Sequence, residues 1–240
     1  MREKRISGKF TPEEQKKKLE EEYDRGAWTY DDARFTYAGG IYVDHKEKEA
    51  ILKNLNKKEE VLEVGCGTAR YAPLLEGLGY KYTGIDISQK MLDEGAKKSK
   101  TATFINMDAE DLVFPSRSFD NVFYVRVFRV LPNSVKALKE AYRVLKKGGR
   151  IIIIYESKDY ILQRIHHWFT KTFMGNPCNY FSNEEFTRLL EAVGFKNIKV
   201  ESVLNVGFYY LIKNKWLMGF VGWLDNHLNT YDRAIIVGEK

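Results

Sequence analysis

Apolar positions along the chain change period several times, and the changes mark its elements. Thr11-Pro12-Glu13-Glu14 opens a first helix: Thr11 is placed to cap, Pro12 suits the first helical position and Glu14 completes a capping box. The Tyr-, Asp- and Gly-rich segment from Tyr23 to Gly40 predicts a loop or short helices, and Asp44 to Leu55 a helix. Short apolar runs then alternate with helical stretches. Strands are predicted at Val61–Val64, Tyr82–Ile87, Ala102–Met107, Asn121–Val125 and Ile151–Tyr155. Helices are predicted at Arg70–Leu78, from a Ser88 cap to about Lys100, and at Val135–Leu145, the last closed by the basic and glycine stop Lys146-Lys147-Gly148-Gly149. Ile151–Tyr155 is continuous and mostly β-branched, the mark of a strand buried on both faces. A capped helix from Ser182 to about Ala192 and strands at Ile198–Leu204 and Ala234–Val237 follow. Strands alternating with helices predict βαβ units in a mainly parallel sheet, with ligands beyond the carboxyl ends of its strands.

Composition adds little that is specific. With 240 residues, 44% hydrophobic and 30% charged, the chain can bury one sizeable core. No uncharged apolar run reaches the ~18 residues that a membrane span needs. The segment Met1–Lys9 is basic, with no apolar signal-peptide core behind it. Two cysteines, Cys66 and Cys178, do not make a disulfide scaffold, which predicts a reducing, cytoplasmic setting. The net charge of +6 suits an anionic partner, yet much of it is scattered or balanced on helix faces, as where Lys16-Lys17-Lys18 precede Glu20-Glu21-Glu22. Charge alone therefore does not predict nucleic-acid binding.

The informative stretch is Val61-Leu62-Glu63-Val64-Gly65-Cys66-Gly67-Thr68-Ala69-Arg70, a strand entering a tight Gly-x-Gly turn and then a helix. Glycines there admit positive φ and let a ligand approach the backbone. NAD, FAD and S-adenosylmethionine all suit such a turn, as does an ordinary strand-to-helix connection. The dinucleotide fingerprint requires Gly or Ala where this chain has Arg70, so a nicotinamide oxidoreductase is disfavoured. Asp86 ends the second predicted strand, 21 residues after Gly65, where a carboxylate can accept both ribose hydroxyls of an adenosyl group.

These residues resemble the motifs of the class I S-adenosylmethionine-dependent methyltransferases, and most of all the small-molecule enzymes of the ubiquinone/menaquinone-biosynthesis type. The likeness runs through Gly84-Ile85-Asp86-Ile87-Ser88, Asn106-Met107-Asp108-Ala109-Glu110-Asp111, Ser118-Phe119-Asp120-Asn121-Val122 and Ala141-Tyr142-Arg143-Val144-Leu145. The resemblance implies a Rossmann-like α/β fold, with a seven-stranded, mostly parallel sheet, one antiparallel strand and an N-terminal helical lid. It implies one domain: lid 1–58, cofactor core 59–155, and substrate-side helices with the last two strands over 156–240. It also implies S-adenosylmethionine as methyl donor, with S-adenosylhomocysteine as product. By position, Gly65, Cys66 and Gly67 would face the methionine part, Asp86 the ribose, Ile87 the adenine face, and Asp108 and Ala109 the adenine edge. Tyr124 would lie near the methyl, and Glu63 would order the loop. In the lid, Tyr30 reaches the cofactor or is an ordinary core tyrosine.

The acceptor side is less defined. Relatives carry a Glu-His or His-His pair just after the fourth strand; here Val130 stands at its second position, which excludes a base there. Arg126 or Arg129 either binds an anionic substrate group or pairs with a surface carboxylate. His45, His166, His167 and His227 lack metal-ligand spacing, so no metal is expected; His166 or His167 is either a base or part of a polar helix face. An apolar stripe, Ile161, Ile165, Trp168, Phe169 and Phe173, and the run Trp216–Leu224 either pack on the sheet, or roof a greasy acceptor pocket or touch a membrane surface. The expected partner is a small-molecule acceptor, with hydrophobic acceptors among the candidates; an RNA methyltransferase and a non-catalytic S-adenosylmethionine-binding module are the alternatives. The acceptor, the methylated atom and the oligomeric state are not written in the sequence.

Overall fold

The structure is a computed structural model that describes residues 10–56, 59–160, 179–204, 215–227 and 232–240. Its centre is one seven-stranded sheet of β1 (Glu60–Val64), β2 (Lys81–Asp86), β3 (Thr103–Asn106), β4 (Phe119–Val125), β5 (Leu145–Glu156), β6 (Lys196–Leu204) and β7 (Arg233–Glu239). The spatial order is β3-β2-β1-β4-β5-β7-β6, parallel except for β7, which runs antiparallel to both β5 and β6. Chain order reverses between β1 and β4, which is where an open α/β sheet leaves a crevice.

Side-chain alternation along each strand feeds two cores. In β5, Ile151 and Ile153 pack with Leu62, Val122 and Phe186 on one face, while Ile152 and Ile154 pack with Val61, Phe123 and Ile235 on the other. The first face is covered by α6 (Ser134–Val144) and α7 (Asn183–Val193), and the second by α3 (Ala38–Asn54), α4 (Ala72–Gly77) and α8 (Lys215–His227). Helix α5 (Gln89–Ala96) follows β2, with Ser88 Oγ accepting from the Met91 N–H at 3.2 Å.

Three boundaries differ from the sequence pattern, each for a local reason. Residues 23–40 are mostly helical: α1 (Pro12–Gly26) and α2 (Tyr30–Phe35) are joined by a 3₁₀ turn, and α3 starts at Ala38. Gly40 permits this packing, because a Cβ there would lie 1.9 Å from the Arg34 carbonyl oxygen. Helix α4 is shorter than expected because the turn after β1 holds residues through Tyr71. The Lys146–Gly149 stretch belongs to β5 rather than ending a helix, and α6 is capped from elsewhere: Lys240 Nζ donates to the carbonyls of Tyr142 and Leu145 at 2.5 and 2.7 Å.

Candidate functional site

The β1 turn is held from the next strand, since the Gly65 and Cys66 N–H groups both donate to the Ile85 carbonyl, at 2.8 and 2.9 Å. Gly65 has φ +71°, and a Cβ on it would lie 2.5 Å from Val127 Cγ2. Gly67 has φ +53°, and a Cβ on it would meet nothing within 4 Å, so its backbone faces open space. Asp86 ties this turn to the next: one carboxylate oxygen accepts from the Gly67 N–H at 2.8 Å, the other from the Ser88 N–H at 2.9 Å. Burial pushes the Asp86 pKa above the ordinary aspartate value despite these donors, and the Asp24 carboxylate nearby adds to the rise.

A cavity of about 440 Å³ opens over these turns, with Gly65, Gly67, Asp86, Ile87 and Met91 at its β1–β2 end. A narrow slot adjoins it, floored by Ile87, Asp108 and Ala109 and covered by Lys16 and Leu19 of α1. Lys16 Nζ binds Asp108 at 2.7 Å and Glu110 at 2.8 Å. The N-terminal helices thus form a cover tied to the turns below. Ser88 Oγ donates to Asp24 at 2.6 Å, Thr68 Oγ1 donates to Asp31 at 2.6 Å, and Lys98 pairs with Asp31. Tyr30 lines the cavity as well; Arg34 donates to its hydroxyl at 2.6 Å and lies 4.0 Å from its ring centroid.

Two other expected residues support the turn from below. Glu63 is buried and accepts from the Tyr82 hydroxyl at 2.5 Å; burial lifts its pKa to about 8. The Cys66 side chain is buried too, lying where it would be 2.9 Å from a Cβ on Gly84, and burial raises its thiol pKa. Tyr124 is a correction. Strand alternation sends its ring into the core with Phe128, its hydroxyl lies 3.4 Å from the Ala137 carbonyl, and the side chain does not line the cavity. His166, His167 and the stripe from Ile161 to Phe173 lie outside the described residues.

The far end of the cavity is polar. Arg126 follows β4 with φ +61°, a strained conformation for a side-chain-bearing residue, and Arg129 lies three residues on. Glu156 ends β5, and opposite it Arg233 begins β7. Behind them lies Glu47 of α3, fully buried, which accepts from Arg233 at 3.0 Å, stands 3.6 Å from Arg126 and pairs with Arg70. Burial alone would raise the Glu47 pKa; the three guanidiniums instead bring it down to about 2. Arg70, the residue that breaks the dinucleotide fingerprint, also pairs with Asp44 and so binds the β1 turn to α3.

Sequence reasoning missed Glu47, Glu156, Arg233 and Arg34. The position of Glu156 at a strand's carboxyl end is a usable signal. Arg233 carries none, because only the antiparallel direction of β7 brings the start of a strand to that edge.

A family model described as a methyltransferase domain matches residues 62–153. A demethylmenaquinone methyltransferase of Listeria welshimeri is 31% identical over 154 residues, 61% of this chain and 65% of that protein, so the chain spans just under two thirds of that relative. An uncharacterized protein of Methanocaldococcus jannaschii is 32% identical over 188 residues, 78% of this chain and 83% of that protein. The crystal structure of an S-adenosylmethionine-dependent methyltransferase from Thermotoga maritima superposes with TM-score 0.73 at 23% identity, over 92% of this chain and 99% of that one, a likeness of fold.

Proposed function

The chain belongs to the class I S-adenosylmethionine-dependent methyltransferases, and from that premise we propose that it transfers a methyl group to a small-molecule acceptor by in-line displacement. The observation that carries this reading is the Asp86 carboxylate, fixed by two backbone N–H groups at the mouth of a positive-φ glycine turn and facing the cavity. The residues present fit the cofactor. Gly67 leaves backbone open to its methionine part, Asp86 is placed for the ribose hydroxyls, and Ile87, Asp108 and Ala109 form a slot of adenine character.

S-adenosylmethionine, when bound, supplies the electrophilic methyl on its sulfonium. The chain's own work is binding, alignment and exclusion of water. Helix α1 and Tyr30 cover the site, and the Lys16 pair with Asp108 and Glu110 closes it over the slot. Glu156 is the proton acceptor for nucleophiles that must be deprotonated, since Asp86, the other carboxylate among the described lining residues, is committed to the two turns. A greasy roof has no support among the described residues: α8 turns Leu217, Phe220 and Trp223 to solvent, and none of its described side chains lines the cavity.

The test is calorimetric titration with S-adenosylmethionine, S-adenosylhomocysteine and NADH, for wild type and Asp86→Ala. Binding of the two sulfur compounds alone, weakened about 100-fold by the substitution, is expected from the loss of charged hydrogen bonds at roughly 1.5–3 kcal/mol each. Binding of NADH, or no effect of the substitution, would overturn the reading.

A further inference from the structure

The strands beneath the cavity sort its lining into two groups, here called chambers. Gly65 follows β1 and Asp86 ends β2, while Arg126 follows β4, Glu156 ends β5 and Arg233 begins the antiparallel β7. Neighbouring strands are ~4.8 Å apart, so Glu156 and Arg233 lie roughly 10 and 14 Å from the β1 turn across the sheet. That is outside the reach of the turn that holds the cofactor, and it defines the acceptor's chamber.

Among the described residues, the cavity lining carries four guanidiniums, Arg34, Arg126, Arg129 and Arg233, and two carboxylates, Asp86 and Glu156. Glu47 behind the wall does not remove the excess, because it brings a third arginine, Arg70, with it. Asp44 likewise pairs with both Arg70 and Lys48. These guanidiniums keep partners within the protein; the imbalance is one of charge. A bound S-adenosylmethionine deepens it, contributing a sulfonium and an ammonium for one carboxylate. A wall rich in guanidiniums suits an anionic acceptor group better than a neutral apolar one.

We propose that the acceptor carries an anionic oxygen group, a carboxylate or a phosphate, held by Arg126, Arg129 and Arg233 with its nucleophilic atom toward Glu156. This rests on the methyltransferase reading and specifies its substrate class. The guanidinium fork matches both anions, two parallel N–H donors to two oxygens. Arg126 has the further mark of a positioned group: its positive φ is retained at a cavity wall, and Glu47 fixes its guanidinium from behind. Glu156 faces this arginine wall across the β5–β7 pair.

The experiment is calorimetric titration of inorganic phosphate, and separately of benzoate, into the full chain saturated with S-adenosylhomocysteine. Arg129→Gln and Arg233→Gln are run beside the wild type, with thermal melts to show that each is folded. The ion pairs of Glu47 run to Arg70, Arg126 and Arg233, so the Arg129 variant keeps the test sound if Arg233→Gln unfolds. One of the two anions is expected to bind saturably and to lose at least tenfold in affinity in a folded variant, while S-adenosylhomocysteine affinity moves less than threefold. Phosphate binding assigns a phosphate-bearing acceptor and benzoate binding a carboxylate. Binding of neither anion to a complex that does hold S-adenosylhomocysteine overturns the anionic acceptor and leaves the methyltransferase standing. So does methylation of a neutral isoprenoid hydroquinone with a KM that Arg129→Gln does not move. Failure of S-adenosylhomocysteine itself to bind removes the methyltransferase reading and this proposal together.

Discussion

The two chambers of the cavity are built by different means. Over β1 and β2 the groups facing the ligand are largely backbone, at Gly65 and Gly67, with one carboxylate pinned by N–H donors. Over β4, β5 and β7 they are long charged side chains, and Glu47 meets Arg233 across 186 residues of sequence. A ligand common to a whole family suits a turn whose shape leaves little freedom. A ligand that differs between members suits side chains, which can be exchanged without altering the backbone that carries them.

The contrast is open to direct attack. Glu156→Gln is expected to lower kcat by about 10²–10⁴ for acceptors that lose a proton, with S-adenosylhomocysteine affinity unchanged. Steady-state kinetics beside calorimetry separates the chambers; a shared loss would merge them. Glu47→Ala leaves three guanidiniums without their buried carboxylate and is expected to cost ~3–5 kcal/mol in chemical denaturation. A loss under 1 kcal/mol would mean that the cluster relaxes into solvent. Gly65→Ala meets both a positive φ and Val127, and should cost about 1–3 kcal/mol. Adding Val127→Ala restores only the steric part, so full recovery would show the turn to be less constrained than its geometry indicates.

The smallest effect per step is in pH, where the chambers have opposite slopes. Unfolded Glu63 ionises near 4.5, whereas the folded protein keeps its proton to about 8. The native state therefore holds more protons across that window, and stability falls as pH rises through it, by no more than ~1.4 kcal/mol per pH unit. Glu47 is lowered from 4.5 to about 2, so the stability that it contributes is present above 4.5 and is lost as pH falls toward 2. Thermal melts of Glu63→Gln should lack the slope on the neutral side and keep the acidic one.

What the sequence disclosed follows the same division. The Gly-x-Gly turn, Asp86 and Asp108 lie in local patterns, because a strand, its turn and the next strand's end are near neighbours in the chain. The seven-stranded sheet with one antiparallel strand came from the resemblance those patterns carry and agrees with the observed order. Tyr124 was misplaced because an end-of-strand position does not say which way a side chain alternates. Glu47 and Arg233 are silent in sequence: one lies in mid-helix, the other starts a strand, and only the closed sheet brings them together.

That long-range pair also sets an order of events during synthesis. Strands β1 to β4, with the turns that carry Gly65 and Asp86, are all encoded by residue 125, whereas the Glu47 cluster waits for the Arg233 strand far downstream. Contacts far apart in sequence form late, since the intervening loop must close first. A chain emerging from the ribosome can therefore shape the β1–β2 end of the cavity early, while Glu47 waits for its last arginine until β7 has emerged. The seven residues of β7 are then the step that completes the polar end of the cavity.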